Sequence, residues 1–168
     1  APSPHAEEVA ALAADRHSVP LFWRSHCSNR CRLATFALSV VAVDLLSKLW
    51  ASRALQDGPV DLPGPLDLRL DHNSGVAFSF LTGAPPVLSI LLTSALVIFL
   101  LHGSTIGSIP LLPGALIAGG AIANIIDRIE AGSVVDMLYT TFWPTFNVAD
   151  VAITGGMVLW LLTALQLT

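Results

Sequence analysis

Between His102 and Asp127 the chain carries no ionisable side chain, and after Asp150 there is none to the end. Stretches of this length and apolarity match the roughly 20 residues a helix needs to cross about 30 Å of hydrocarbon. They predict spans from about Ile109 to Ile129 and from about Val148 to Thr168. Two further spans fit the same rule. One runs from Leu33 to about Ala54, interrupted by Asp44, Lys48 and Arg53, and the other from about Pro85 to Leu101. The composition agrees: 54% of residues are hydrophobic and only 12% are charged, where about a quarter charged is usual for a soluble domain. A soluble enzyme and a disordered chain are thereby excluded. The net charge of −4 also opposes nucleic acid as a partner, since a phosphate backbone calls for a basic face. The expected fold class is an all-α membrane protein with four transmembrane helices.

Residues 1–32 are a separate tail with no long apolar run, and residues 33–168 form the membrane domain. The tail lacks the hydrophobic stretch of a signal peptide. Its Cys27 and Cys31 do not make a disulfide framework, and with His17 and His26 they lack the paired spacing of a zinc module. No metal site and no cofactor are expected. Arg16, Arg24, Arg30 and Arg32 precede the first span, whereas the segments after the first and third spans are net negative. The positive-inside rule then puts both termini in the cytoplasm and two loops outside.

The first outer segment, about 54–84, alternates Leu66, Leu68 and Leu70 with Asp67, Arg69 and Asp71, the period of a half-buried strand. Asn73-Ser74-Gly75 can turn the chain into a second apolar run, Val76 to Leu81. A small β-ribbon is expected, its leucine face against lipid or a lipid-bearing substrate. The second outer segment, about 133–146, holds Tyr139, Phe142 and Trp143, which suit the headgroup layer.

Membrane segments reject charge, so the few ionisable residues there are functional candidates. Asp44 and Lys48 stand four apart on one helical face and read as a self-neutralising pair. Arg128 stands four after Asn124, and the two together suit a peptide carbonyl or a headgroup; alternatively Arg128 complements the negative end of its helix. Asp127 gains nothing there and needs a donor elsewhere. Asp136 and Asp150 have no cation at helical spacing. Each can be explained as a helix cap, through Ser133-Val-Val-Asp136 and Asn147-Val-Ala-Asp150. Equally, two carboxylates held close share a proton, one activating water and the other polarising a carbonyl.

At these residues the chain resembles the lipoprotein signal peptidases (signal peptidase II), membrane aspartic proteases of bacteria. Asp44-Leu-Leu-Ser47-Lys48, Asn73-Ser-Gly75-Val-Ala77-Phe78-Ser79, Gly119-Gly-Ala-Ile-Ala-Asn124-Ile-Ile-Asp127-Arg128, Val134-Val-Asp136 and Phe146-Asn147-Val-Ala-Asp150 match its motifs in order. The resemblance implies Asp136 and Asp150 as the catalytic dyad. It implies Asn73, Asn124, Arg128 and Asn147 as substrate-binding residues, with Asp44, Lys48, Gly75 and Asp127 as structural support. It implies a diacylglyceryl-modified prolipoprotein as substrate, cut just before the lipidated cysteine, in the inner membrane with the active site towards the outer face. The ribbon becomes an extracytoplasmic cradle and the second outer segment a short, mobile periplasmic helix; the enzyme is expected to be a monomer in contact with membrane lipid. Ala123 stands where the family usually has glycine, and Met137 where an aromatic is usual. Two other readings compete: a homologue that grips lipoprotein signal peptides without cutting them, and a four-helix carrier using carboxylates as a proton relay.

Overall fold

The computed structural model describes residues 21–74 and 86–166. Helix α1 (Leu21–Ala54) leads into strand β1 (Asp67–Asn73), followed by helices α2 (Pro86–Thr105) and α3 (Leu111–Ala131). Strands β2 (Val134–Thr140) and β3 (Trp143–Phe146) come next, and helix α4 (Val148–Leu165) ends the described chain. All four helices are long and apolar enough to cross a membrane. Their outer faces expose large apolar side chains, among them Leu38, Leu46, Leu91, Ile98, Leu161 and Leu165. An apolar surface this continuous around a bundle is a lipid-facing surface. This is the architecture expected from the sequence.

Helix α1 starts at Leu21 rather than at the expected Leu33. No glycine or proline interrupts 21–54, so nothing breaks the helix where the apolar run ends; Arg30 and Arg32 fall within the candidate span Ser28–Ala54, and Arg24 precedes it.

Helix α3 is the central and most buried span. It packs on α1, α2 and α4 through a surface of small residues, including Gly114, Ala115, Ala118, Gly119, Gly120 and Ala123, which lets helix backbones approach closely. A Cβ on Gly119 would lie 2.7 Å from the Ala37 carbonyl oxygen of α1. One on Gly120 would lie 2.5 Å from the Ala149 carbonyl oxygen of α4. Both close contacts therefore demand glycine. Ala123 is fully buried between Val41 and Ala149, so its methyl fills the junction of three helices. At the end of α3, Gly132 takes the left-handed conformation (φ 72) and its N–H donates to the Arg128 carbonyl, ending the helix as such a C-terminal residue does.

The strands form one antiparallel sheet in the order β1-β2-β3. Asp71 lies opposite Asp136 and Asn73 opposite Val134, with an irregularity between Leu68 and Asp71. Val60 folds back to pair with Leu68 through two backbone hydrogen bonds of 2.9 Å.

One expectation is corrected by the sheet. The segment 133–146 is not a short helix but the β2–β3 hairpin. Val134, Val135, Tyr139, Thr140, Phe142 and Trp143 are strand-forming residue types, and β1 supplies the partner that a local helical reading leaves out. The leucine face of β1 is half-buried: Leu68 and Leu70 pack with Leu138 against buried Ala51, Leu55 and Met137. Met137, 2% exposed, is thus a core residue between the sheet and the end of α1. The expected second ribbon strand, Val76 to Leu81, and Gly75 lie outside the described residues.

Candidate active site

The sheet sits at one end of the bundle, where the C-terminus of α3 and the N-terminus of α4 meet. Asn147 joins them. It precedes α4 in extended conformation, and its side-chain oxygen accepts from the Asp150 N–H at 2.9 Å. Asp150 replies, its Oδ2 accepting from the Asn147 N–H at 3.2 Å. This reciprocal pair is a capping box, so the sequence reading of Asp150 as a cap describes its backbone role. The equivalent reading of Asp136 fails, because Ser133 to Asp136 enters a strand.

The amide of Asn147, wholly buried, also reaches sideways. Its Nδ2 donates to Asp136 Oδ1 at 2.7 Å and to Asn124 Oδ1 at 3.1 Å. Asn124, on α3, donates through its own Nδ2 to Asp150 Oδ1 at 3.0 Å. Asn73, at the end of β1, donates to Asp136 Oδ2 at 3.2 Å. Four elements therefore converge on two carboxylates, and the side chains that donate to Asp136, Asn73 and Asn147, are uncharged amides. Asp136 is 2% exposed. Burial, then the neighbouring Asp150 carboxylate, push it up to about 6 from 3.8, against the hydrogen bonds of Asn73 and Asn147 and the charge of Lys48. Loss of solvation and a like charge both disfavour an anion. Asp150 is more open, and it stands in the first turn of α4, where the helix dipole favours negative charge.

Beneath this pair lies a charged layer. The Lys48 ammonium contacts Asp44 at 2.6 Å, Asp127 at 2.8 Å and the Asn124 side-chain oxygen at 3.0 Å. Asp44, fully buried, accepts from the Ala149 N–H at 2.7 Å, tying α1 to the start of α4. Asp127 accepts from the Val135 N–H at 3.2 Å, tying α3 to β2 one residue before Asp136. The Asp44–Lys48 pair is thus not closed on itself. The donors that Asp127 lacks on its own helix are Lys48 and a strand N–H. Neither link is visible as a sequence spacing, since the partners lie on other elements.

Arg128 is half-buried, with Nη1 donating to the Asn124 backbone carbonyl at 3.1 Å, and it stands in the field of Asp150, Asp136 and Asp127. Of the residues named from the sequence, Asp44, Lys48, Asn73, Asn124, Asp127, Arg128, Asp136, Asn147 and Asp150 are gathered into one cluster. Two backbone N–H groups join them, that of Ala149 on Asp44 and that of Val135 on Asp127. Among the described residues no group of three or more histidine, cysteine or acidic side chains could hold a metal ion.

Residues 36–166 match the family model described as signal peptidase (SPase) II. The chain is similar to the lipoprotein signal peptidase of Pelodictyon phaeoclathratiforme, 36% identical over 141 residues covering 73% of this chain and 83% of that protein. It is 37% identical over 136 residues to the lipoprotein signal peptidase of Mycobacterium avium, covering 76% of this chain and 75% of that one. A solved bacterial membrane enzyme structure superposes with a TM-score of 0.73 at 26% identity, over 80% of this chain and 87% of that one.

Proposed function

Because the chain belongs to the signal peptidase II family of membrane aspartic peptidases, we propose that it removes the signal peptide from diacylglyceryl-modified prolipoproteins, cutting just before the lipidated cysteine. The observation that carries this reading is the pair Asp136 and Asp150, held by one another's amide partners, Asn147 and Asn124. Asp150 is the base and Asp136 the acid. Asp150 takes a proton from water as the oxygen attacks the scissile carbonyl carbon, while Asp136 donates a hydrogen bond and then its proton to the carbonyl oxygen. When the tetrahedral intermediate collapses, the C–N bond breaks. The proton held by Asp150 passes to the departing cysteine nitrogen, and Asp136 regains its own from the hydroxyl that reforms the carbonyl.

Asn73 and Arg128, both half-buried, are assigned to the substrate backbone, with Asn124 at the junction of substrate and dyad. Asn147 was expected there too; wholly buried and engaged by Asp136, Asn124 and the Asp150 N–H, it is assigned instead to holding the dyad. Both termini lie in the cytoplasm, the sheet and the site face the outer side, and the working unit is a monomer in lipid. The test is cleavage of one prolipoprotein with and without its diacylglyceryl group. Cutting confined to the lipidated form supports the substrate assignment; equal cutting of both forms refutes it.

A further inference from the structure

Lys48 has two carboxylates to neutralise it, Asp44 and Asp127, yet its ammonium makes a third contact with the Asn124 amide oxygen. That contact is not needed for charge balance. An asparagine amide has unlike ends, an oxygen that only accepts and an NH2 that only donates. Here the oxygen meets a cation and the NH2 meets the Asp150 carboxylate at 3.0 Å. Turned over, the amide would set NH2 against ammonium and oxygen against carboxylate, trading two charge-assisted bonds for two repulsions. The second lone pair of the oxygen is taken by Asn147 Nδ2, whose other hydrogen bond is to Asp136.

We propose that Lys48 is a positioning residue: by gripping the amide oxygen of Asn124 it locks the NH2 of that amide onto Asp150, and so selects Asp150 as the aspartate that holds the negative charge. This rests on the reading of Asp136 and Asp150 as the reacting pair. Of the other charged groups around Asp150, Asp136 on β2 accepts from the Asn73 and Asn147 amides, Asp127 on α3 meets Lys48 and the Val135 N–H, Arg128 donates to the backbone carbonyl of Asn124, and Asp44 is engaged with Lys48 and Ala149. On β1, Asp71 and His72 are exposed.

The experiment compares the full chain in lipid nanodiscs as wild type, as Asp44→Asn, and as two charge-balanced pairs, Asp44→Asn with Lys48→Met and Lys48→Met with Asp127→Asn. Each pair removes one cation and one anion, and Asn at 44 keeps an oxygen for the Ala149 N–H. Melting temperature, kcat and KM are measured against pH with a diacylglyceryl prolipoprotein. The pairs are expected to fold, to keep KM within about twofold of the Asp44→Asn control and to lose at least tenfold in kcat. The acid limb of the pH profile, a property of the dyad as a whole, moves up by about one pH unit, the worth of one lost charge-assisted hydrogen bond. Limbs and kcat equal to the control, or a loss confined to KM, overturn the proposal. Failure of both balanced pairs to fold also overturns it, because it assigns Lys48 to the fold alone. A wild type that leaves the lipidated substrate uncut contradicts the underlying function instead.

Discussion

Gly120→Ala isolates the geometric demand that the site makes on the bundle. A Cβ at this position lies 2.5 Å from the Ala149 carbonyl oxygen and 2.8 Å from Ile153 Cγ1, whereas ordinary contact begins at 3.4 Å. The nearest obstacle is backbone, so no rotamer change relieves it, and α4 must move off α3 by close to 0.9 Å, the difference between those two distances. The carbonyl belongs to the residue immediately before Asp150, and the N–H of that same residue is held by Asp44. The displacement is therefore delivered to the dyad. Overpacking of this kind costs ~1–3 kcal/mol, offset in part by the ~1 kcal/mol that alanine gains over glycine inside a helix. Stability is thus expected to fall only slightly. Activity is expected to fall about 100-fold, since a misplacement near 1 Å at a reacting centre costs on that order. Gly155→Ala, on α4, is the control: nothing lies within 4 Å of its Cβ, so it should leave turnover unchanged and raise stability by roughly 0.5–1 kcal/mol. Cleavage rates of lipidated prolipoprotein, measured beside melting temperatures, check both variants. Wild-type turnover in Gly120→Ala would refute the claim that the α3–α4 contact sets the dyad.

The pH dependence follows from Asp136. Its value of about 6 in the folded chain lies above 3.8, so folding favours the protonated form; this stabilisation is present at pH 4 and is lost as the pH rises through about 6. The kcat/KM of the free enzyme should accordingly decline on the alkaline side with a limb near 6, and in Asp136→Asn the melting temperature should lose the decline that Asp136 gives the wild type between about pH 4 and about pH 6. Lys48→Ala leaves Asp44 and Asp127 buried without their cation, a loss on the order of 3–5 kcal/mol, to be read as a marked fall in melting temperature. Met137→Ala removes a side chain that is 2% exposed between α1 and the sheet. It should cost about 2–5 kcal/mol in thermal unfolding, and an unchanged melting temperature would contradict its place in the core.

The spans and the charged residues of the cluster were legible because a bilayer makes both conspicuous: apolar length is required to cross, and each charge retained inside needs a reason. Asp44, Lys48, Asp127 and Asp150 stand out on that ground alone. What the sequence did not reveal was pairing across elements. Lys48 reads as the partner of Asp44 because the two are four residues apart; its contacts with Asp127 and Asn124 depend on how α1 packs on α3. Segment 133–146 offered a capping pattern and a strand-forming composition together. The deciding interaction was with β1, more than 60 residues earlier in sequence, as the register of Asp71 against Asp136 shows. Gly119 and Gly120 look like ordinary small residues of a membrane helix until the carbonyls of Ala37 and Ala149 are placed against them.

The central claim is that Asp136 and Asp150 carry the chemistry together. Its most direct test is the cleavage of a diacylglyceryl prolipoprotein by Asp136→Asn and by Asp150→Asn, each shown to be folded by its melting temperature and to bind the substrate. The account predicts that neither variant cuts, because an asparagine at 150 removes the base and one at 136 removes the transferable proton. Turnover at the wild-type rate by either folded variant would contradict it.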